Sequence, residues 1–316
     1  MREPHEDSSD NREIKHFLDI LPLDTVEYAC AYGSGAVPQD SDSTSGKMID
    51  FIIVTRDSNE FHKQNLEMNP THYSSLRFLG YQKIAQMQRN YAARDQLIKY
   101  SVIDTDDLLL DLIDWKWMYL AGRLQKHVID VVSPSSRITY AMKKNRSSAL
   151  QAALLLMPDK FMLPQLYNEI ISLSYRGDFR MLFGEDKNKI GRIAEGSRAQ
   201  LNQIYVPLLK ADKDVSIQGC TIEQDRCNAV FFKRILELPL NVLWNLQRRI
   251  NSKNGTQNDI EEIAASLARR LDGPKPVAAA IEDIVWRYAL QQTAKNVFSA
   301  ALKHDTDYIA SRTDIP

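Results

Sequence analysis

Thr25-Val26-Glu27-Tyr28-Ala29-Cys30-Ala31-Tyr32 runs into Gly33-Ser34-Gly35, and after a polar loop comes Met48-Ile49-Asp50-Phe51-Ile52-Ile53-Val54-Thr55. The first segment alternates, favours β-structure and ends on a glycine turn, so it reads as a strand. The second is nearly continuous apolar and reads as a strand covered on both faces. Residues 38–47 (PQDSDSTSGK) are small and polar, hence a surface loop. Asp50 is the one acid in its strand. An unpaired carboxylate among Ile49, Phe51 and Ile52 is costly if dry, so it sits at a pleat edge, is paired, or holds a metal.

Glycine turns after strands often bind phosphate, and three such motifs can be tested. A dinucleotide fingerprint needs glycine at position 38, which is Pro38. A P-loop around Gly46-Lys47 needs glycine at 41 and a hydroxyl at 48, where Ser41 and Met48 stand. The third is the polymerase-β-like nucleotidyltransferase order, in which a strand ends in Gly-Ser and the next strand carries metal-binding acids. The turn lets backbone N–H groups approach a triphosphate. Acids on the adjacent strand hold Mg²⁺ against the same phosphates. Gly33-Ser34 followed by Asp50 has this order, although Ile52 stands where a paired Asp-x-Asp would place its second acid.

Outward from this pair, Asp57 or Ser58 caps a short helix through Asn65. Residues 98–103 read as a strand. Thr105 opens an apolar helix to about Leu124, and residues 128–132 form a last strand. From about Tyr140 the pattern turns helical, with candidates at 149–157, 164–174 and 189–205. Residues 211–226 read as a linker, and 240–249, 259–271 and 277–303 as helices. The expected class is α+β: a nucleotidyltransferase-like domain over 16–137, a helical domain over 138–210, then a linker and C-terminal helices over 211–316.

Composition narrows the function classes. The 316 residues carry 40 Lys+Arg against 41 Asp+Glu, a formal net charge of -1, and 44% are apolar. This balance argues against a nucleic-acid coat. No apolar run reaches the roughly 18 residues of a membrane span. Residues 1–15, with Glu3, Glu6, Asp7, Asp10 and Glu13, read as a disordered leader that is neither presequence nor signal peptide. Cys30, Cys220 and Cys227 form no disulfide framework and have no zinc spacing, so they read as reduced thiols.

Longer words carry a resemblance. Tyr32-Gly33-Ser34-Gly35, Met48-Ile49-Asp50-Phe51-Ile52, His62 with Asn65-Leu66 and Asn69, His72-Tyr73-Ser74 and Ile98-Lys99-Tyr100 occur in order. So do Leu120-Ala121-Gly122-Arg123-Leu124-Gln125-Lys126, Ala153-Leu154-Leu155-Leu156-Met157-Pro158, Ser172-Leu173-Ser174-Tyr175 and Gly177-Asp178-Phe179-Arg180-Met181. Together they resemble the mitochondrial-type CDP-diacylglycerol synthases, the translocator assembly and maintenance family, across most of residues 26–304. The chain departs from the family's glycine-rich word before Ile98, where Arg89-Asn90-Tyr91-Ala92-Ala93-Arg94 stands.

The resemblance implies a peripheral enzyme on the matrix side of the mitochondrial inner membrane. It would join CTP to phosphatidic acid with Mg²⁺, release pyrophosphate and feed cardiolipin synthesis. It also implies a winged-helix-like second domain and a C-terminal helix on an anionic membrane surface; the apolar face of 277–303, with nearly balanced charge, suits either that surface or docking on its own domain. Among the residues, it puts Tyr32, Gly33 and Ser34 on the triphosphate, Asp50 on Mg²⁺ and Lys99 on a phosphate. Asp178 and Arg180 alternate by two and share a face, Asp178 as a second catalytic acid and Arg180 on phosphate. Arg123 and Lys126 suit either substrate binding or the C-terminal dipole of their helix. His62 and His72 read as groups that cap or order their segment or face the base, and Trp115, Trp117 and Tyr119 as core. A nucleotidyltransferase for another acceptor and a scaffold with a degenerate site are the alternatives.

Overall fold

In the computed structural model, residues 19–33, 35–36, 49–73, 81–82, 93–95, 98–178, 188–270 and 272–291 are described. Strands β1 (Val26–Tyr32) and β2 (Ile49–Thr55) pair antiparallel, with Tyr32 opposite Asp50. β3 (Ala93–Asp95) is antiparallel to β4 (Ile98–Asp104), β4 is parallel to β2, and β5 (Ile129–Val132) is antiparallel to β1. The strand order is β3-β4-β2-β1-β5.

The pleat sorts side chains to two faces. Ala29, Ala31, Phe51, Ile53 and Val102 pack with Phe61 of α1 (Ser58–Met68). Asp57 caps α1, accepting the N–H groups of Asn59 and Glu60. Tyr28, Cys30, Ile52, Val54 and Ile103 face the remaining helices.

One expected helix is two. α2 (Thr105–Asp114) and α3 (Tyr119–Leu124) are separated by a loop in which Trp115 and Met118 take left-handed φ of 54° and 61°. Apolar periodicity continues through this break, so it is invisible to pattern reading. Asp111 makes the break stable. It is fully buried and its carboxylate accepts the N–H groups of Trp117, Met118, Leu120 and Ala121 at 2.7, 2.7, 2.8 and 3.0 Å. Those donors are the orphan amides at the start of α3.

The second layer begins with α4 (Ser136–Leu156), longer than the 149–157 expected. β6 (Lys160–Met162), α5 (Leu163–Leu173), α6 (Lys189–Gly196) and α7 (Arg198–Ala211) follow, so the expected 189–205 helix breaks at Ser197 and continues further. The expected linker at 211–226 is instead a hairpin, β7 (Val215–Gln218) and β8 (Thr221–Gln224), turning at Gly219 with φ 64°. It pairs with β6 in the order β6-β8-β7, and Ile222 is fully buried. Its polar alternate residues gave it the look of a linker, and the second layer therefore extends past 210 to 224.

α8 (Asn228–Leu236), α9 (Leu240–Asn254), α10 (Ile260–Ala268) and α11 (274–291) complete the described chain. Val277, Ile281, Ile284 and Val285 are buried at 0–5% exposure in the same core as α2 to α5, and Tyr288 is buried at 7%. The apolar stripe of the expected membrane helix is thus docked on its own protein as far as 291. Residues 292–303 lie outside the described residues.

Candidate functional site

β1 ends, and β2 and β4 begin, at one end of the large sheet. Tyr32, Asp50 and Lys99 are consecutive across the three strands, Tyr32 opposite Asp50 and Asp50 beside Lys99. Each lies in phase with residues of the helix-facing side, namely Cys30, Ile52 and Ile103. Gly33 follows with φ 83° and its carbonyl accepts the Ala36 N–H at 3.2 Å. A Cβ at Gly33 would stand 2.9 Å from Asp50 Oδ2, so the turn and the carboxylate are in contact. Asp50 is half-buried rather than in the core. Burial raises its pKa above the ordinary carboxylate value, while Lys99 and Arg123 pull it back.

Arg123, from α3, completes this group. Its guanidinium lies 5.0 Å from the Tyr32 ring centroid and 5.7 Å from that of Tyr119. Such stacking holds an arginine in place without consuming its hydrogen-bond donors. Burial alone would lower its pKa, but Tyr32, Tyr119, Tyr175 and Asp50 raise it. One turn on, Lys126 is buried and donates to Ser174 Oγ at 3.4 Å, with its Nζ 5.3 Å from the Tyr175 ring centroid. Lys189, opening α6, reaches the same ring at 5.5 Å. Burial, then Arg123 and Lys189, hold the Lys126 pKa well below its usual range.

Gly122 explains how these cations point inward. A Cβ there would meet Ser174 Cβ at 2.2 Å, so only glycine lets α3 lie against the turn after α5. Among the described residues, neither Arg123 nor Lys126 forms an ion pair with a carboxylate. Lys99 and Arg123 beside the Asp50 carboxylate can bind a polyanion and, with it, a divalent metal.

Of the predicted site residues, Tyr32, Gly33, Asp50 and Lys99 come together. Asp178 is buried in the turn after α5, its N–H bonded to the Tyr175 carbonyl at 3.2 Å. It shares this turn with the Tyr175 ring that faces Lys126 and Lys189. Ser34 and Arg180 lie outside the described residues. The structure adds Arg123 and Lys126, for which sequence left two readings, and Tyr175 and Lys189, which sequence reading missed. The one sequence signal was Gly122 inside a helix, a residue that marks close packing.

The histidines lie elsewhere. His62 Nδ1 meets Tyr73 Oη at 2.9 Å and His72 Nδ1 meets Tyr100 Oη at 3.0 Å. Asn65 Nδ2 donates to both tyrosine oxygens. This buried network orders the segment after α1, in agreement with the ordering role.

Comparison with known proteins decides the family. Residues 14–314 match the family described as "Phosphatidate cytidylyltransferase, mitochondrial". The chain belongs to that family. A protein of this name from Caenorhabditis briggsae is 43% identical over 94% of this chain and 96% of its own length. The one from Drosophila melanogaster is 33% identical over 91% and 94%, and the one from Homo sapiens is 35% identical over 91% and 66%. No helix among the described residues is long and apolar enough to cross a membrane.

Proposed function

We propose that this protein is a phosphatidate cytidylyltransferase, converting CTP and phosphatidic acid to CDP-diacylglycerol and pyrophosphate. Family membership supports the reaction. The observation that carries the site is the contact between Gly33 and Asp50, with Lys99 and Arg123 beside it. The strand order, with a glycine turn after β1 and one acid on β2, supports a nucleotidyltransferase domain over 16–137. The order α4-β6-α5-α6-α7-β7-β8, with the hairpin pairing back on β6, supports a winged-helix-like second domain.

The triphosphate of CTP lies along the Gly33 turn, where backbone N–H groups approach without a side chain between. The resemblance assigns the Ser34 hydroxyl to the same phosphates. Lys99 and Arg123 neutralise the phosphates, Asp178 in the turn after α5 is the second catalytic acid, and the resemblance assigns Arg180 to a phosphate. Mg²⁺ fits the donor set. Among the described residues no cluster of three acids, histidines or cysteines could hold a metal alone. Mg²⁺ commonly binds through one or two carboxylates plus substrate phosphates, and Asp50 supplies the carboxylate. The ion contributes charge neutralisation when bound.

A phosphatidate oxygen attacks the α-phosphorus of CTP in line. The new phosphorus–oxygen bond forms as the bond to the bridging oxygen breaks, and pyrophosphate leaves with the electron pair. The attacking phosphomonoester is already anionic near neutral pH, with a second pKa of about 6, so no strong general base is needed. Positioning and fixed positive charge supply the catalysis. The product feeds cardiolipin synthesis on the matrix side of the mitochondrial inner membrane, at an anionic membrane surface.

The test is formation of CDP-diacylglycerol from CTP and phosphatidic acid by the purified protein, with ATP, GTP and UTP as controls. Asp50→Asn is expected to abolish it while the fold persists. Wild-type turnover by that variant would remove Asp50 from the reaction, and no turnover by wild type would remove the function.

A further inference from the structure

Arg123 owes its place to aromatic rings. Its guanidinium lies over those of Tyr32 and Tyr119, at 5.0 and 5.7 Å from their centroids. Tyr32 is fixed by its strand. Tyr119 is the first residue of α3, directly after Met118 with its left-handed φ of 61°. The Asp111 carboxylate accepts the N–H groups of Trp117, Met118, Leu120 and Ala121, so it fixes the backbone on both sides of Tyr119. It does not touch the ring, whose direction is left to packing.

That packing comes from the far end of the described chain. Val277, Ile281, Ile284 and Val285 of α11 enter the core. One turn further on, Tyr288 is buried with its ring centroid 5.1 Å from that of Tyr119 and the two planes inclined by 32°. Offset aromatic rings at this separation attract. A line of contacts thus runs from Tyr288 to Tyr119 to Arg123, which stands beside Asp50.

α11 meets the other half of the site as well. A Cβ at Gly177 would stand 2.9 Å from the Glu282 carbonyl oxygen, so the backbone of α11 lies against the turn that carries Asp178. Glu282 and Tyr288 are separated by about 9 Å along a helix axis. The helix is itself held in place. Arg249 Nη1 of α9 donates to both carboxylate oxygens of Asp283 at 3.0 Å. Asn241 Nδ2, also of α9, donates to the carbonyls of Trp115 and Lys116, in the loop that leads to Tyr119. α11 therefore acts as a spacer between the Tyr119 ring and the Asp178 turn.

We infer that Tyr288 is a positioning residue for the reaction. It holds the Tyr119 ring, and through that ring the Arg123 guanidinium, at the place beside Asp50 where the phosphates of CTP bind. The inference rests on CTP being the substrate, as proposed above. Because the effect of Tyr288 passes through Arg123, the two residues act as one unit, and a double-mutant cycle reads their coupling.

The experiment is calorimetry of CTP binding to the full chain with Mg²⁺ present, with a thermal melt of each variant. Tyr288→Leu removes the ring and is expected to weaken CTP binding about fivefold. Tyr288→Phe keeps the ring and should bind as wild type does. In an Arg123→Met background, where Lys99 still meets the phosphates, Tyr288→Leu should cost nothing further. Val277→Ala loosens α11 about three turns from Tyr288. It should lower the melting temperature and leave CTP affinity unchanged. Equal losses from Tyr288→Leu and Tyr288→Phe overturn the proposal. So does a full further loss on Arg123→Met, or a loss from Val277→Ala that matches Tyr288→Leu. If wild type binds no CTP, the proposed reaction fails and this inference with it. Binding by wild type with additive losses overturns this inference alone.

Discussion

Asp50 Oδ2 and the backbone of Gly33 leave no room between them for a methyl group, because a Cβ on residue 33 would stand 2.9 Å from that oxygen. The φ of 83° at Gly33 adds about 1–2 kcal/mol for any residue with a side chain. Gly33→Ala should therefore displace either the turn or the carboxylate. The expected result is a loss of about 100-fold in kcat/KM, as for a misplacement of about 1 Å at a reacting centre. Steady-state kinetics on CTP, with a thermal melt to show that the fold survives, checks it. Unchanged kcat/KM would detach the turn from the reaction.

Asp50 must be ionised to hold a cation. Burial raises its pKa, and Lys99 and Arg123 lower it. The acid limb of kcat/KM should thus lie above the ordinary aspartate range. Lys99→Met removes a lowering charge, so the limb should move to higher pH as well as the rate falling. A pH–rate profile of the two proteins measures this, and a limb that stays in place or moves down contradicts the pairing.

Asp111 positions Arg123 without touching it. Asp111→Ala leaves four N–H groups at the start of α3 without their acceptor. Stability should fall by about 3 kcal/mol or more. Urea midpoints give the stability. CTP affinity by calorimetry should fall with it in the folded fraction, because α3 carries Arg123. Asp111→Asn, which keeps one acceptor oxygen, should restore part of both. A variant that melts early yet binds CTP as wild type does would limit Asp111 to stability.

Burial lowers the pKa of His62 to about 4. Its neutral form is favoured in the folded chain, so its stabilising effect is complete above the unfolded value of about 6.5. As pH falls from there towards 4, the unfolded chain takes up the proton first and stability declines, by on the order of 3 kcal/mol over that window. Urea unfolding at pH 7 and pH 5 should show a smaller decline in His62→Asn than in wild type. Parallel declines would place the effect on other groups.

The sequence by itself determined the strands and the chemistry of their ends. Val26–Tyr32 and Ile49–Thr55 are legible because alternation and a bare apolar run are local signals, and Gly33 and Asp50 stand out against them. The long family words did the same for the reaction. What only the tertiary structure decided depends on contacts between distant residues. Asp111 reaches six to ten residues along the chain to break a continuous apolar pattern into α2 and α3. Gly122 brings α3 against Ser174, 52 residues away, which turns Arg123 from a helix-end cation into a neighbour of Asp50 and sets Lys126 against Ser174 and Tyr175. The polar hairpin at 215–224 becomes structure only because β6 lends it an edge. The stripe on α11 is amphipathic in any reading. Periodicity fixes which residues share a face, but only packing decides which face meets the core, and here the core took the stripe and left Trp286 and Leu290 outside.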